Sequence, residues 1–196
     1  MNSFVSALFF PQADAQGKGQ PASPDQQKVA VIEKAGGRVA VIAQNDNRLE
    51  VDFHLQGASV GDAALASIAG LKDVVHLNLG KTSITDAGLA QIKGMTTLTR
   101  LHLEQTKITD KGLANLKGLT ALEYLNLYGT EITDKGLDEL AGLSNLKGLY
   151  LWQTKVTEEG VSKLKKALPK LDIVTGWEQK EKQKEKEEPK EKEEKK

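Results

Sequence analysis

The side chains of this chain that could do chemistry are few: three histidines, and a group of tyrosines and tryptophans in its C-terminal half. Glu104 lies two residues beyond His102, and a histidine beside a carboxylate is the usual start of a metal site or an acid–base pair. Cysteine is absent, which excludes thiolate ligands, a cysteine nucleophile and a disulfide framework. Lysine plus arginine and aspartate plus glutamate number 27 each, so no charge excess points to nucleic acid or to an acidic lipid surface. No apolar run reaches the roughly 18 residues of a membrane-spanning helix. What His54, His76 and His102 can do depends on the spacing of the elements that carry them.

Those elements repeat. From Val74 the chain reads VVHLNLGKTSITDAGLAQIKGMTT, then LTRLHLEQTKITDKGLANLKGLTA from Leu98. LEYLNLYGTEITDKGLDELAGLSN follows from Leu122, and LKGLYLWQTKVTEEGVSKLKKALPK from Leu146. The period is 24 residues, with one extra in the last copy. A degenerate earlier copy starts at Glu50 and keeps phase through Val60, Asp62, Leu65, Ile68 and Leu71, and a truncated final strand runs from Leu171 to Trp177.

Within a copy, Leu101 and Leu103 alternate as in a strand with one buried face, so His102 between them points outward. Thr82, Thr106, Thr130 and Thr154 follow the strands, where a hydroxyl can bond the backbone of the neighbouring turn. Thr85, Thr109, Thr133 and Thr157 each precede an acidic residue, the pattern of a helix N-cap followed by a charge suited to the helix dipole. Leu113, Leu116 and Leu119 give that helix an inward stripe, and Gly94, Gly118 and Gly142 are placed to close the helices.

This pattern, LxxLxLxxTxITDxGLxxL, resembles the leucine-rich repeat over roughly residues 48–177. The resemblance implies an α/β fold: a right-handed solenoid, a segment of a horseshoe, with a parallel sheet on the concave side and short helices on the convex side. It is similar to short bacterial leucine-rich-repeat proteins with 24-residue repeats, and to the cysteine-containing subclass found in F-box adaptors of ubiquitin ligases. Thr stands where that subclass has Cys, and no F-box-like helical module lies ahead of the repeats, so a ubiquitin-ligase role does not carry over.

The flanks read differently. Residues 1–15 hold FVSALFF, then Pro11 and Ala13-Asp14-Ala15, similar to the apolar core and cleavage site of a secretory signal. No Lys or Arg precedes Lys18 to supply the basic leading region. The expectation is export, to the periplasm, the cell surface or the medium. The alternative is an apolar tail on a cytoplasmic protein. Residues 16–24 read as a linker, and 25–49 as an N-terminal cap. In the cap a helix starts with Ser23 as N-cap and stops at Gly36-Gly37, Arg38–Ala43 is a strand, Asn45-Asp46-Asn47 a turn, and Arg48–Leu55 a second strand. Residues 50–177 are the repeat domain. Residues 178–196, with eight Glu and eight Lys, lack the apolar residues to bury a core and read as a disordered tail.

With this phase, the extra residue of the last copy counted, the outward positions of the sheet form columns about 4.8 Å apart per rung. One column reads His54, Asn78, His102, Asn126, Tyr150, Thr175; a second Asp52, His76, Arg100, Tyr124, Gly148, Ile173; a third Gln56, Gly80, Glu104, Tyr128, Trp152, Trp177. His54 and His102 are then two rungs, about 10 Å, apart, too far for one zinc ion, and an open sheet does not exclude water. No catalytic residue, metal ligand or cofactor is therefore assigned. The aromatic residues are the stronger signal, because core residues here are leucines while the tyrosines and tryptophans fall on outward columns. The candidate ligand-binding residues are Tyr124, Tyr128, Tyr150, Trp152, Arg100, Glu104 and His102. The expected function is a non-catalytic module that binds a protein or peptide. Alternatives are a glycan or cell-envelope polymer stacked on the aromatic patch, and a structural spacer. Mutual stacking of Trp152 and Trp177 over the last rung is the competing explanation of the tryptophans.

Overall fold

The computed structural model describes residues 24–43, 46–71 and 73–177. The signal-like segment 1–15, most of the 16–24 linker, the Ser23 N-cap and the 178–196 tail lie outside the described residues.

Helix α1, Pro24–Lys34, ends through Gly36, whose φ of 87° is the left-handed conformation that glycine adopts without steric cost. Gly37 is needed for close approach: a Cβ there would stand 2.6 Å from Ile32 Cγ2 and from the Phe53 ring. Strand β1, Arg38–Ala43, pairs antiparallel with β2, Asp46–Asp52. Every later pairing is parallel, through β3 Val74–Asn78, β4 Arg100–His102, β5 Tyr124–Asn126, β6 Gly148–Tyr150 and β7 Asp172–Val174. The result is one seven-stranded sheet in sequential order. Short helices return the chain between strands: α2 Asp62–Ala66, α3 Asp86–Leu89, α4 Asp110–Leu113, α5 Asp134–Asp138 and α6 Glu158–Ala167.

The leucines fill the space between sheet and helices. Leu77, Leu101, Leu125 and Leu149 stack in register and are fully buried, as are Leu113, Leu116 and Leu119. A rung alone leaves both of its faces open, so stacking supplies the burial that holds each one. Thr82, Thr106 and Thr130 are buried, and their hydroxyls donate to the carbonyls of Leu79, Leu103 and Leu127 at 2.6 Å. Each bond closes the turn of its own rung, not the neighbouring one.

A second ladder runs along the helices. Thr85, Thr109 and Thr133 cap their helices, each hydroxyl accepting from the N–H two residues on. Thr157 caps α6 by accepting from the Gly160 N–H, three residues on. The aspartate that begins each of α2, α3, α4 and α5 reaches forward to the next rung. Asp62 Oδ1 accepts from Thr85 N at 2.8 Å while its Oδ2 accepts from Thr85 Oγ1 at 2.6 Å. The same two bonds join Asp86 to Thr109, Asp110 to Thr133 and Asp134 to Thr157. Gly88, Gly112, Gly136 and Gly160 lie against these carboxylates, where any added Cβ would overlap Asp Oδ1.

The expected phase fails at both ends of the sheet. The second strand stops at Asp52, and His54–Ser59 forms a 3-10 turn where a strand to Leu55 is expected. Asp46, expected in a turn, begins that strand, while Asn45 lies outside the described residues. Asp52 therefore pairs with Asn78 and Glu50 with His76, two residues away from the expected register. Phe53 is fully buried and Leu55 is thrown outward, 62% exposed. At the other end Asp172 pairs with Gly148 and Val174 with Tyr150. The step from β6 to β7 is the same 24 residues as between the central strands, without the extra one expected there, so Ile173 pairs with Leu149 on the inward side and the outward columns end in Asp172, Val174 and Gly176. Gly94, Gly118 and Gly142 stand at the helix ends without left-handed backbone; among the equivalent glycines only Gly70, with φ 79°, adopts it.

Candidate functional site

The site is built on the outward residues of β4, β5 and β6 and on the residue just past each strand. Parallel pairing continues there: Lys81 N donates to Glu104 O, Gln105 N to Tyr128 O, and Gly129 N to Trp152 O. Glu104, Tyr128 and Trp152 are thereby held one rung apart by the backbone.

Aromatic rings close up on this face, diagonally between columns for Tyr124 and Tyr150 and within one column for Tyr128 and Trp152. Tyr124 and Tyr150 lie 5.1 Å apart, ring centre to ring centre, inclined at 43°. They lean over Gly148, with Tyr124 Cδ2 3.6 Å and a Tyr150 ring carbon 3.9 Å from where a Cβ would stand. Tyr128 and Trp152 stack at 5.3 Å and 30°. The Trp152 five-membered ring lies over Gly176, where a Cβ would be 2.6 Å from its Cγ and Nε1. Trp152 is 40% exposed although it packs on both neighbours. Trp177 is displaced from the column by Gly176 and makes no ring contact with Trp152. The expected group Tyr124, Tyr128, Tyr150 and Trp152 is thus brought together, and the expected Trp177 position is not.

His102 joins this group to a charged end. Its ring lies 5.0 Å from that of Tyr124, and its Nδ1 lies 3.4 Å from Glu104 Oε2. Glu104 folds back over Gly80, and its Oε2 is buried without an aligned hydrogen bond. Burial pushes the Glu104 pKa up, but the contact with His102, the local backbone and the field of His54 outweigh it and hold the carboxyl below its ordinary value. Burial, then Tyr150 and Glu104, raise the Tyr124 pKa, so the phenol keeps its proton.

Each remaining histidine also faces a carboxylate: His54 Nδ1 and Asp52 Oδ1 are 2.8 Å apart, His76 Nδ1 and Glu50 Oε2 3.9 Å. Asn78 Nδ2 lies 3.4 Å from Asp52 Oδ2 and 3.3 Å from His54 Nδ1. Burial and the nearby Arg100 guanidinium lower the His76 pKa, with Glu50 opposing. Among the described residues no group of three or more His, Asp or Glu side chains is placed to hold a metal ion. The histidines are spread over separate rungs as pairs, so they do not converge on one substrate atom.

The mostly parallel sheet, the 24-residue rungs and the leucine core define a leucine-rich-repeat solenoid. Residues 96–156 match the leucine rich repeat family model. The chain is similar to the crystal structure of an internalin, inlF, from Listeria monocytogenes, with 26% identity over 56% of this chain and a TM-score of 0.49. It is also similar to internalin C2 from the same organism, with 23% identity over 55% of this chain and a TM-score of 0.42. The match spans 30% and 54% of the lengths of those two chains. None of the curated proteins compared with this chain matches it. Repeats of this family suggest a protein-interaction module.

Proposed function

We propose that the protein is a non-catalytic binding module that takes a protein or peptide on the concave face of its sheet, with Trp152 as anchor. One observation carries the reading: four aromatic side chains gather on two adjacent rungs of the outward face, while leucines fill the core behind them. These rings are not needed to fill the core, and a cluster of Tyr and Trp on a rigid surface is the composition of an interaction hot spot. Arg100 and Glu104 lie at the rim, and His102 ties Glu104 to Tyr124.

The test is to capture partners from the native cell envelope on the wild-type protein and on Trp152→Ala, and to measure the affinity of whatever the wild type retains. Trp152→Ala should weaken that binding by about 2 kcal/mol or more, roughly 30-fold. Its melting temperature should fall little, because a ring that is 40% exposed leaves no closed cavity. Unchanged affinity combined with a loss of several kcal/mol in stability would make Trp152 a cap on the last rung and move the binding site elsewhere.

A further inference from the structure

The seven-stranded sheet ends in β1 on one side and β7 on the other, and the two edges differ. β7 is 3 residues long and carries Asp172. β1 is 6 residues long, and after Arg38 it holds only Val39, Ala40, Val41, Ile42 and Ala43. A free edge is a row of backbone N–H and C=O groups without ladder partners, which proteins usually guard with lysine, proline or a bulge. β1 has none of these. Val41 and Ala43 pair with Leu49 and Asp46, so the extra residue of the irregular β1–β2 pairing lies in β2, and β1 itself stays regular.

The same end of the solenoid exposes apolar side chains. Ala40, Val41 and Ile42 are exposed in β1, as are Ala30 and Val31 in α1, which packs beside it. Val31 is 53% exposed and Val41 44%. The exposed charges of this wall, Glu33, Lys34 and Arg38, gather at the Gly36 end, where α1 gives way to β1.

We propose that this wall pairs two copies of the chain, β1 against β1 in antiparallel register about a two-fold axis at Val41. An axis normal to the sheet keeps the concave sides of both copies on one side, so each residue must face one from the same side of its own sheet. Centred on Val41, that register sets Val41 opposite its twin, Ala40 opposite Ile42 and Val39 opposite Ala43, and no charged residue enters the paired span. Arg38 and its twin then stand about 20 Å apart along the strands, beyond effective repulsion in physiological salt. Length favours self-pairing as well, because β7 of another copy would leave half of β1 bare. The wall has the size of a weak interface. β1 is about 20 Å long, and α1 beside it is about 16 Å long and 10 Å wide, which gives a wall of roughly 20 by 20 Å. Two such walls bury on the order of 800–1,000 Å², the low end for a specific contact, so the dimer forms in the micromolar range.

Sedimentation velocity and light scattering on the full chain, from about 1 to 200 µM, read the equilibrium. Monomer should convert to dimer over this range and go no further. Val41→Lys sets two ammonium groups at the axis of an exposed strand, so it should melt near the wild type and raise the dissociation constant about tenfold or more. The chain has no cysteine, so Val41→Cys supplies the only thiol. Opposed Cα atoms in such a pair lie about 4.5–5.5 Å apart, within reach of a disulfide. Mild oxidation should therefore link Val41→Cys into a covalent dimer, and Leu55→Cys, at an exposed position in the turn after β2, should stay unlinked. If Val41→Lys fails to fold, the cross-link comparison alone decides. The inference is overturned by a chain that stays monomeric, by a dimer that a folded Val41→Lys leaves intact, or by linkage of Leu55→Cys as readily as of Val41→Cys. Growth past the dimer overturns it too, since that is the mark of β1 adding to β7 in an open chain.

Discussion

Gly112→Ala puts the helix-side ladder to a direct test. Gly112 lies in α4, and an added Cβ would overlap Asp86 Oδ1 and stand 3.0 Å from Ile108 Cγ2. Asp86 is not free to yield, because its two oxygens hold Thr109 N at 2.8 Å and Thr109 Oγ1 at 2.6 Å. Displacing it releases two hydrogen bonds to a charged group, each costing about 1.5–3 kcal/mol to lose, partly offset where water replaces them. Alanine recovers up to about 1 kcal/mol of helix propensity. The net expected cost is about 2–4 kcal/mol, a fall in melting temperature of roughly 5–15 °C. Thermal and urea unfolding followed by far-UV circular dichroism reads it. Gly142→Ala is the control, since nothing lies within 4 Å of its Cβ and its backbone is not left-handed, so it should be neutral or stabilising. A harmless Gly112→Ala would refute the reasoning outright. The penalty should also shrink in an Asp86→Ala background, where the overlapping oxygen is gone; a full penalty there would shift the blame to Ile108.

Leu125→Ala, at a fully buried inward position of β5, should cost about 2–5 kcal/mol in the same assay, and a negligible effect would mean the rungs are not packed as described. The lowered His76 pKa means the folded state takes up that proton less readily than the unfolded chain, whose histidine titrates near 6.5. Stability should therefore fall as pH drops below about 6.5, and His76→Gln should flatten that part of the melting-temperature profile between roughly pH 7.5 and 5.5. We also propose export: sequencing the amino terminus of the native protein should find Gln16 first, and an intact Met1 in a cytoplasmic fraction would reject this.

The central rungs were legible because one leucine pattern serves one job. Leu101, Leu125 and Leu149 have the same neighbours above and below, so period alone places them and, with them, Arg100, Tyr124 and Tyr150. The ends were not, because a terminal rung has only one neighbour to keep it in phase. Two residues inserted after Asp52 could coil into the 3-10 turn at His54–Ser59 without disturbing Val60, Leu65 or Ile68, and hydrophobic spacing does not reveal where they went. The inter-rung role of Asp86, Asp110 and Asp134 was hidden because an acid after a capping threonine is already explained by the helix dipole. The signal was present in the glycines. The acid is followed two residues later by Gly88, Gly112, Gly136 and Gly160, but in the first copy by Ala64. Glycine occurs only where a preceding rung supplies an aspartate to crowd it, and α2 has no such rung before it.

That ladder also bears on the binding face. The Tyr128–Trp152 pair, which faces directly across adjacent strands, owes its contact to rung spacing, whereas Tyr124–Tyr150 and His102–Tyr124 are diagonal neighbours whose rings lean together. The rungs that carry Tyr124, Tyr128, Tyr150 and Trp152 are clamped on the convex side by the Asp110–Thr133 and Asp134–Thr157 bonds. On the concave side they are joined by Leu127 N to Tyr150 O and Gly129 N to Trp152 O. A ligand that meets these rings finds them already ordered, so association loses little side-chain entropy at the protein surface and more of the contact energy appears as affinity. A loop carrying the same four residues would give up that advantage. Loosening Asp134 should accordingly weaken binding at Tyr150 and Trp152, although Asp134 lies on the opposite side of the solenoid from the ligand.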